Sequence, residues 1–396
     1  MSKPIHLCLA HMGGHEQDFI REAFETNWVV PLGPNVNAFE EAISQYTERG
    51  MHVVALSSAT AAIHLATILL GVGPGDEVMV QSFTFCATAN PVIYCGATPV
   101  FVDSEADTWN MDPDLLDRAI ADRIRHTGRK PKAVITVSLY GMPPKMDDIL
   151  TVAERYGIPV IEDSAEGMGS RYNGRQLGTF GRYGIFSFNG NKMITTSGGG
   201  ALLCPDSESR QRAMYFATQA RQPYPYYLHT EIGHNYRMSN ISAGIGRGQM
   251  MVLDDHIRHH RHLHRRYIEA LADVPGLTVK QAPSAAFDSN YWLTTILLDD
   301  GLRVKGQDRA YTAATRSPYA PNDNVEAMRL ALAEEQIESR PLWNPLHLHP
   351  AFAACPAYTN GVSEHLYRRG LCLPSGPMVS DDDADRIVAA IRRCIE

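Results

Sequence analysis

The chain has 396 residues, more than one compact core usually accommodates, so we expect two domains. Its hydrophobic content of 44% is ample to form their cores. Its 36 basic and 44 acidic side chains give a formal net charge of −8, which argues against nucleic acid as a partner. No apolar run approaches the roughly 18 residues that span a bilayer, and Met1-Ser2-Lys3-Pro4 lacks a signal-peptide core. We therefore expect a cytoplasmic protein with no membrane partner.

Helical and extended patterns alternate along the first part of the chain. Val36, Phe39, Ile43 and Tyr46 fall on one face of an amphipathic helix. Further helices are predicted at 61–70 and 147–156, and strands at 52–56, 77–81, 99–103, 133–139, 158–163, 184–188 and 200–204. Strands interleaved with helices predict an α/β fold with a mainly parallel, twisted sheet, in a large domain over residues 1–248.

The pattern changes after Met250. The periodicity predicts helices at 251–271, 325–335 and 381–394 and strands at 277–279 and 291–298, with a polar and mobile region at 301–324 between them. We interpret residues 249–396 as a smaller C-terminal α+β domain.

The cysteines and histidines give no sign of a metal. The seven cysteines are scattered and never form a Cys-x-x-Cys pair, which favours reduced thiols over disulfides or a zinc site. His256, His260 and His264 recur at helical spacing, as metal ligands could. Arginines are interleaved with them and would repel a cation, so we interpret this segment as a solvated basic helix and expect no metal.

Two segments could surround an anionic aromatic ligand. Residues 56–62 read as a strand, a turn of small polar residues and a helix, and the free amides at such a helix start bind anions. An ordinary helix cap by Ser58 is the alternative. Phe85 lies just beyond a predicted strand and could stack flat on an aromatic ring, although an isolated aromatic residue more often belongs to the core.

An amine and a carboxylate also follow predicted strands. Asp163 closes the apolar run 158–161, and Lys192 follows the strand at 184–188. In open parallel sheets ligands bind beyond the carboxyl ends of strands. A lysine can form a Schiff base with pyridoxal phosphate, and a carboxylate can keep its pyridine nitrogen protonated. Alone, Lys192 could be a solvated lysine and Asp163 a helix cap, but together they predict a pyridoxal phosphate site.

Flanking residues add to this prediction. The triple glycine 198–200 would let the backbone pack close to the cofactor ring and turn sharply after the lysine. Farther on, Arg340 in Arg340-Pro341-Leu342-Trp343, together with His347, could supply a cation for a diphosphate and apolar faces for a sugar or base. The alternative is that Trp343 and His347 only pack the small domain.

The order and spacing of several motifs resemble those of the DegT/DnrJ/EryC1/StrS family of PLP-dependent sugar aminotransferases. They are SSATAAIHLA, SFTFCATAN, VIEDSAEGMGS, GTFGRYGIFSFNGNKMITTSGGG, GHNYRMSN, ESRPLWNPLHLHPAF and GLCLPSG, and they cover the chain from about Met12 to Gly376. Within the family, HMGGHE, VPLG and SFNGNK with TTSGGG are most similar to the bacillosamine-pathway enzymes that aminate UDP-2-acetamido-4-keto-2,6-dideoxyglucose.

The resemblance implies a fold-type-I, aspartate aminotransferase-like homodimer with shared active sites. It implies that Lys192 forms the Schiff base and carries the proton between cofactor and sugar, that Asp163 pairs with the pyridine nitrogen, and that Glu166 lies near the cofactor where many relatives carry Gln or His. Phosphate contacts are expected from Ala59, Thr60 and Ser187, the ring contact from Phe85, and a further phosphate contact from Asn235 of the neighbouring subunit. Substrate contacts are expected from Trp28, Arg237, Arg340 and His347.

The implied reaction moves an amino group from L-glutamate to C4 of the nucleotide-linked keto-deoxysugar, giving UDP-4-amino-4,6-dideoxy-N-acetylglucosamine. The related sugar dehydratases carry His at the Schiff-base position, so Lys192 favours transamination. Ala59 stands where many relatives have Gly, which requires a negative or strained φ there. A GDP- or dTDP-linked keto sugar is the alternative substrate, and a catalytically silent PLP-binding sensor is an alternative from another class.

Overall fold

The computed structural model describes residues 3–312 and 314–395. The helices are α1 (Glu16–Glu25), α2 (Pro34–Tyr46), α3 (Ala59–Leu69), α4 (Asn90–Tyr94), α5 (Pro113–Thr127), α6 (Met146–Tyr156), α7 (Ser207–Ala217), α8 (Asn240–Met250), α9 (Leu253–Leu271), α10 (Asp323–Glu334), α11 (Val362–Arg369) and α12 (Asp381–Cys394). The strands are β1 (His52–Leu56), β2 (Glu77–Gln81), β3 (Thr98–Val102), β4 (Ala133–Val137), β5 (Val160–Asp163), β6 (Arg171–Tyr172), β7 (Arg175–Gln176), β8 (Tyr183–Ser187), β9 (Gly200–Cys204), β10 (Leu277–Val279), β11 (Phe287–Asp288), β12 (Thr294–Leu298), β13 (Arg340–Pro341), β14 (Ala357–Tyr358) and β15 (Gly370–Leu373).

An eight-stranded sheet forms the centre of the larger part of the molecule, in the order β1-β9-β8-β5-β4-β2-β3-β14. Neighbouring strands from β8 to β14 run parallel, and β9 is antiparallel to both β8 and β1. Helices cover both faces, so the central strands are buried throughout and consist mainly of apolar, β-branched residues. The predicted α/β fold with a mainly parallel sheet is confirmed.

A smaller antiparallel sheet, in the order β10-β12-β15-β13, packs against α9, α10 and α12 around a separate apolar cluster. A third sheet joins β11 to the short strands β6 and β7. Strand pairings join residues on the two sides of the predicted boundary at residue 248 in more than one place. Strand β14 joins the edge of the large sheet, and Ile5 pairs with Ile337. The division into domains 1–248 and 249–396 stays a prediction.

Helix α9 corrects the interpretation of the histidine-rich segment as a solvated helix. His256, His260 and His264 form a buried face, and burial lowers the pKa values of His260 and His264 to about 3. Arg258 and Arg265 lie on the exposed face of the same helix. The helix therefore packs its neutral histidines inward, which the alternation of histidine and arginine did not reveal.

The region 301–324, predicted to be polar, contains a short 3-10 helix at Gln307–Arg309 and the start of α10. Within the described ranges, no helix is both long and apolar enough to cross a membrane.

Candidate active site

A cavity of about 330 Å³ opens at the carboxyl ends of the parallel strands, beside the start of helix α3. Strands β4, β5 and β8 each end at its wall, with Val137, Asp163 and Ser187. This is where open α/β sheets bind ligands. The predicted site residues that line the cavity are Ala59, Thr60, Phe85, Asp163, Glu166, Ser187 and Lys192.

The carboxylate of Asp163 is buried on the cavity side of the sheet. Thr88 Oγ1 donates to its Oδ2 at 2.7 Å, and the Ala165 amide donates to its Oδ1 at 3.2 Å. Burial raises the pKa of Asp163, the two hydrogen bonds and the charge of Lys192 act in the opposite direction, and the charge of Glu166 adds to the rise. Asp163 therefore presents a desolvated carboxyl group that gains from a cationic partner.

Its neighbour Glu162 has a structural role. Successive strand residues face opposite sides of a sheet, and Glu162 accepts hydrogen bonds from the amides of Gly178, Phe180 and Gly181. It thus holds the turn that precedes β8. Of the acidic pair, only Asp163 lines the cavity.

Lys192 reaches into the cavity from the loop after β8. Its Nζ lies 3.1 Å from Glu166 Oε1, and both side chains are largely buried. Glu166 is held in turn by the Tyr140 amide, which donates to Oε2 at 2.7 Å. Tyr140 has a φ of 53°, a conformation that non-glycine residues seldom adopt and that clusters at functional sites.

The loop that carries Lys192 is anchored from several directions. The Trp292 indole Nε1 donates to the Asn191 carbonyl at 2.6 Å, and a His256 ring nitrogen lies 3.0 Å from the Met193 carbonyl. Gln249 Oε1 accepts from the Thr195 amide at 3.2 Å. Because these partners belong to α8, α9 and the segment before β12, residues distant in sequence fix the position of the lysine.

The triple glycine lets strand β9 pack closely on the start of α3, whereas the sharp turn after the lysine, predicted for these glycines, is made elsewhere. A Cβ at Gly200 would lie 2.3 Å from the amide nitrogen of Ala59, so only glycine lets β9 approach the start of α3. Gly198 and Gly199 line the cavity. The residue with a left-handed conformation is Ser197, with a φ of 72°, and none of the three glycines has a positive φ.

Helix α3 begins at the cavity with a regular cap. Ser58 Oγ accepts from the Ala61 amide at 3.0 Å, and both Ser58 and Thr60 line the cavity. Ala59 has a negative φ, so alanine is accommodated there without strain. The cap satisfies one amide, and the helix dipole still favours an anion at this end.

Phe85 lines the cavity and is partly exposed to solvent. Its side chain is 50% exposed, and its ring centre lies 5.3 Å from that of Trp343. An exposed aromatic face beside a polar cavity is suited to stacking on a planar ligand.

Three other predicted site residues lie outside this cavity. Asn235 and Trp28 are exposed and do not line the cavity. Arg237 pairs with Glu40 at 3.0 Å and is 8% exposed, so its guanidinium is already committed within this chain. This placement gives no support to a substrate role for Arg237.

Two predicted substrate residues in the C-terminal part have different surroundings. The His347 side chain is 7% exposed, with one ring nitrogen 2.7 Å from Ser82 Oγ and the other 3.2 Å from Glu364 Oε1. These contacts support a packing role for His347, between the segment after β2 and helix α11. Arg340 is 69% exposed and lines a second cavity of about 560 Å³ together with Trp292 and Trp343. Tyr140 forms part of the wall between the two cavities, since it lines the second and binds Glu166 in the first.

The residues of the first cavity fit pyridoxal phosphate. Lys192 has an amine suited to the aldehyde, the buried carboxyl of Asp163 suits a protonated pyridine nitrogen, and Phe85 offers a face for the ring. Hydroxyl groups and the start of α3 suit the phosphate. In the ranges 3–312 and 314–395, no group of three or more His, Cys, Asp or Glu side chains is arranged to hold a metal ion.

Three residues of this site were not predicted from the sequence. Thr88, Tyr140 and Trp292 contact Asp163, Glu166 and Lys192 respectively. Thr88 lies in the SFTFCATAN stretch and could have been found as a polar residue after a strand. Tyr140 and Trp292 carry no such signal, because their contacts depend on how distant segments pack.

Comparison with known proteins extends these observations. Residues 11–392 match the DegT/DnrJ/EryC1/StrS aminotransferase family. EpsN of Bacillus subtilis (strain 168), whose name gives a provisional assignment as a pyridoxal phosphate-dependent aminotransferase, is 50% identical over 99% of this chain and 96% of its own. GDP-perosamine synthase of Caulobacter vibrioides is 35% identical over 98% and 97%. The crystal structure of a DegT DnrJ EryC1 StrS aminotransferase from Brucella abortus superposes with a TM-score of 0.84 at 30% identity over 96% and 95%.

Proposed function

Because the chain belongs to the DegT/DnrJ/EryC1/StrS aminotransferase family, whose members are pyridoxal phosphate-dependent sugar aminotransferases, we propose that it transfers an amino group from L-glutamate to C4 of a nucleotide-linked keto-deoxysugar. We propose UDP-2-acetamido-4-keto-2,6-dideoxyglucose as the acceptor. The HMGGHE, VPLG and TTSGGG segments support this choice, since they resemble those of bacillosamine-pathway enzymes.

The observation that carries the proposal is the convergence of Lys192, Asp163 and the start of α3 on one cavity. Bound pyridoxal phosphate supplies an aldehyde that accepts the amino group and a ring that takes up electron density. In this proposal Asp163 holds the proton on the pyridine nitrogen. Ala59, Thr60 and Ser187 bind the phosphate, which fixes the orientation of the ring against Phe85.

Lys192 has two roles in the proposed reaction. Its Nζ binds the cofactor covalently, and once released it moves a proton between the cofactor and C4 of the sugar. Glu166, 3.1 Å from this nitrogen, keeps it directed into the cavity. The same pair of groups serves both the glutamate and the sugar half-reactions, as ping-pong transfer requires.

We also propose that the enzyme acts in the cytoplasm as a homodimer in which Asn235 reaches the phosphate of the neighbouring subunit. The exposed position of Asn235, outside its own cavity, is compatible with a contact made in trans. Trp28 is also exposed, and we propose that it forms a wall of the substrate site opposite Arg340.

A GDP-linked keto sugar is the alternative acceptor, favoured by the likeness to GDP-perosamine synthase. Purified enzyme with pyridoxal phosphate and glutamate should be incubated with UDP-, GDP- and dTDP-linked 4-keto sugars, and the amino sugars identified by mass spectrometry. We expect the highest kcat/KM with UDP-2-acetamido-4-keto-2,6-dideoxyglucose. A higher kcat/KM with a GDP- or dTDP-linked sugar would identify that sugar as the acceptor instead. If none of the sugars is aminated, the protein would be a catalytically silent protein that binds the cofactor.

A further inference from the structure

Trp292 lies directly against the amine of Lys192. The Nζ atom is 3.9 Å from the centre of the indole ring, on its face, and the ring is 1% exposed. The negative face of an aromatic ring attracts a cation, and the attraction is stronger where water is excluded. The ammonium of Lys192 thus lies between the carboxylate of Glu166 and the face of Trp292.

A single short segment positions both of these groups. Asn290 Nδ2 donates to the carbonyls of Glu166 and Met168, each at 2.8 Å, and Asn290 Oδ1 accepts from the Trp292 amide at 2.8 Å. The indole Nε1 then binds the carbonyl of Asn191, next to the lysine. Residues 290–292 therefore fix the indole relative to Glu166 and Lys192 at once.

The nearby thiol does not compete for the ammonium. Burial raises the pKa of Cys8 to about 12, although the charge of Lys192 and a hydrogen bond with Trp292 act against this rise. Cys8 therefore stays a neutral thiol at physiological pH. The indole face and Glu166 therefore stabilise the positive charge at this point, together with the charge of Asp163.

We propose that Trp292 is a positioning residue that, together with Glu166, holds the Lys192 nitrogen whenever it is not bonded to the cofactor and stabilises its protonated form. The inference rests on the proposed function only in that amino transfer must release and rebind the lysine. In that interval the two groups keep the nitrogen within reach of the cavity and stabilise the ammonium each time the amine takes up the proton that it moves.

The test measures the lysine directly, in the cofactor-free full-length protein. Lys192 is acetylated with a trace of acetic anhydride across a pH series, and the modified peptide is quantified by mass spectrometry. The pH of half-maximal labelling reports the stability of the ammonium, whereas the maximal rate reports accessibility. Removing the ring face with Trp292→Leu should lower the midpoint by about half a pH unit and thereby raise labelling near pH 8 about threefold.

Two further variants isolate the ring face. Trp292→Phe keeps an aromatic face and should restore the wild-type midpoint, although it lacks the N–H that binds Asn191. Trp109→Leu is the matched control, because Trp109 is also a buried tryptophan, 3% exposed, but lies against Lys280. It should leave the Lys192 midpoint unchanged.

A wild-type midpoint in Trp292→Leu would overturn the proposal, as would equal shifts in Trp292→Leu and Trp292→Phe or a similar shift in Trp109→Leu. Thermal unfolding of each variant confirms that the labelled protein is folded. Because the readout needs neither sugar nor turnover, it is independent of the substrate panel: a wild-type enzyme that aminates none of the sugars would remove the proposed substrate and leave this result standing.

Discussion

Thr88 donates a hydrogen bond to the buried carboxylate of Asp163, with 2.7 Å between Oγ1 and Oδ2. This bond stabilises the ionised carboxyl and lowers its pKa, against burial, which raises it. Thr88→Val removes the donor at nearly constant volume, so the pKa of Asp163 should rise further. We expect the acid limb of the kcat/KM profile to move to higher pH by about one unit. Thr88→Ser, which keeps a hydroxyl, is the control; an acid limb that stays in place or moves lower contradicts this role.

Replacing Asp163 itself should separate cofactor binding from catalysis. Asp163→Asn leaves the phosphate contacts intact, so the protein should still bind the cofactor. It removes the charge that keeps the pyridine nitrogen protonated, and several kcal/mol of stabilisation in the proton-transfer step should be lost with it. Absorbance titration with pyridoxal phosphate and single-turnover rates with glutamate measure the two properties. Turnover like that of the wild type would show that Asp163 is not the partner of the ring nitrogen.

Lys192 should be the residue that bonds the cofactor. The purified protein should be yellow with pyridoxal phosphate, and borohydride reduction should attach the pyridoxyl group to the peptide that contains Lys192. Lys145 is a suitable comparison, because it is paired with Glu105 at 2.9 Å and Asp107 at 2.7 Å outside the cavity. Label on Lys145, or label that persists in Lys192→Ala, would refute the assignment.

Active sites shared between subunits predict complementation. Lys192→Ala and Asn235→Ala should each be inactive as homodimers. After subunit exchange, one site of each hybrid dimer carries neither substitution, so about a quarter of the wild-type sites should return in an equal mixture. The measurement is glutamate half-reaction activity before and after exchange. If mixed subunits gain no activity although hybrids are detected, Asn235 does not act across the interface.

The buried face of α9 predicts a loss of stability in acid. His260 is neutral in the folded protein because burial lowers its pKa to about 3, whereas a histidine in the unfolded chain has a pKa near 6.5. Between these values the unfolded state binds the additional proton, so the free energy of unfolding falls as pH falls below 6.5. His260→Leu should reduce that fall by about 1 kcal/mol between pH 6 and 5.

Urea unfolding at several pH values checks this prediction. His365→Gln is the control, because His365 is exposed on α11 and should leave the pH dependence unchanged. Equal slopes for the wild type and His260→Leu would mean that His260 is already protonated in the folded state.

Local sequence patterns alone predicted several helices and strands and part of the candidate site. The periodicity of apolar residues predicted strands β1, β2, β9 and β10 and helix α12 with the bounds that the structure has. Because parallel strands end at one edge, placing Asp163 and Lys192 after two strands was enough to predict that they meet, and both line the same cavity. These predictions rest on interactions between residues that are close in sequence or on a general rule of sheet topology.

Only the tertiary structure decided the remaining features, because each depends on which distant surfaces pack together. The same histidine spacing suits an exposed or a buried helix face, and packing turned His260 inward. Arg237 could have met a substrate, but α2 places Glu40 within 3.0 Å of it. Trp292 lies 100 positions after Lys192, and no local signal relates an indole ring to an amine so far along the chain; the packing of the segment before β12 against the lysine loop brings them to 3.9 Å.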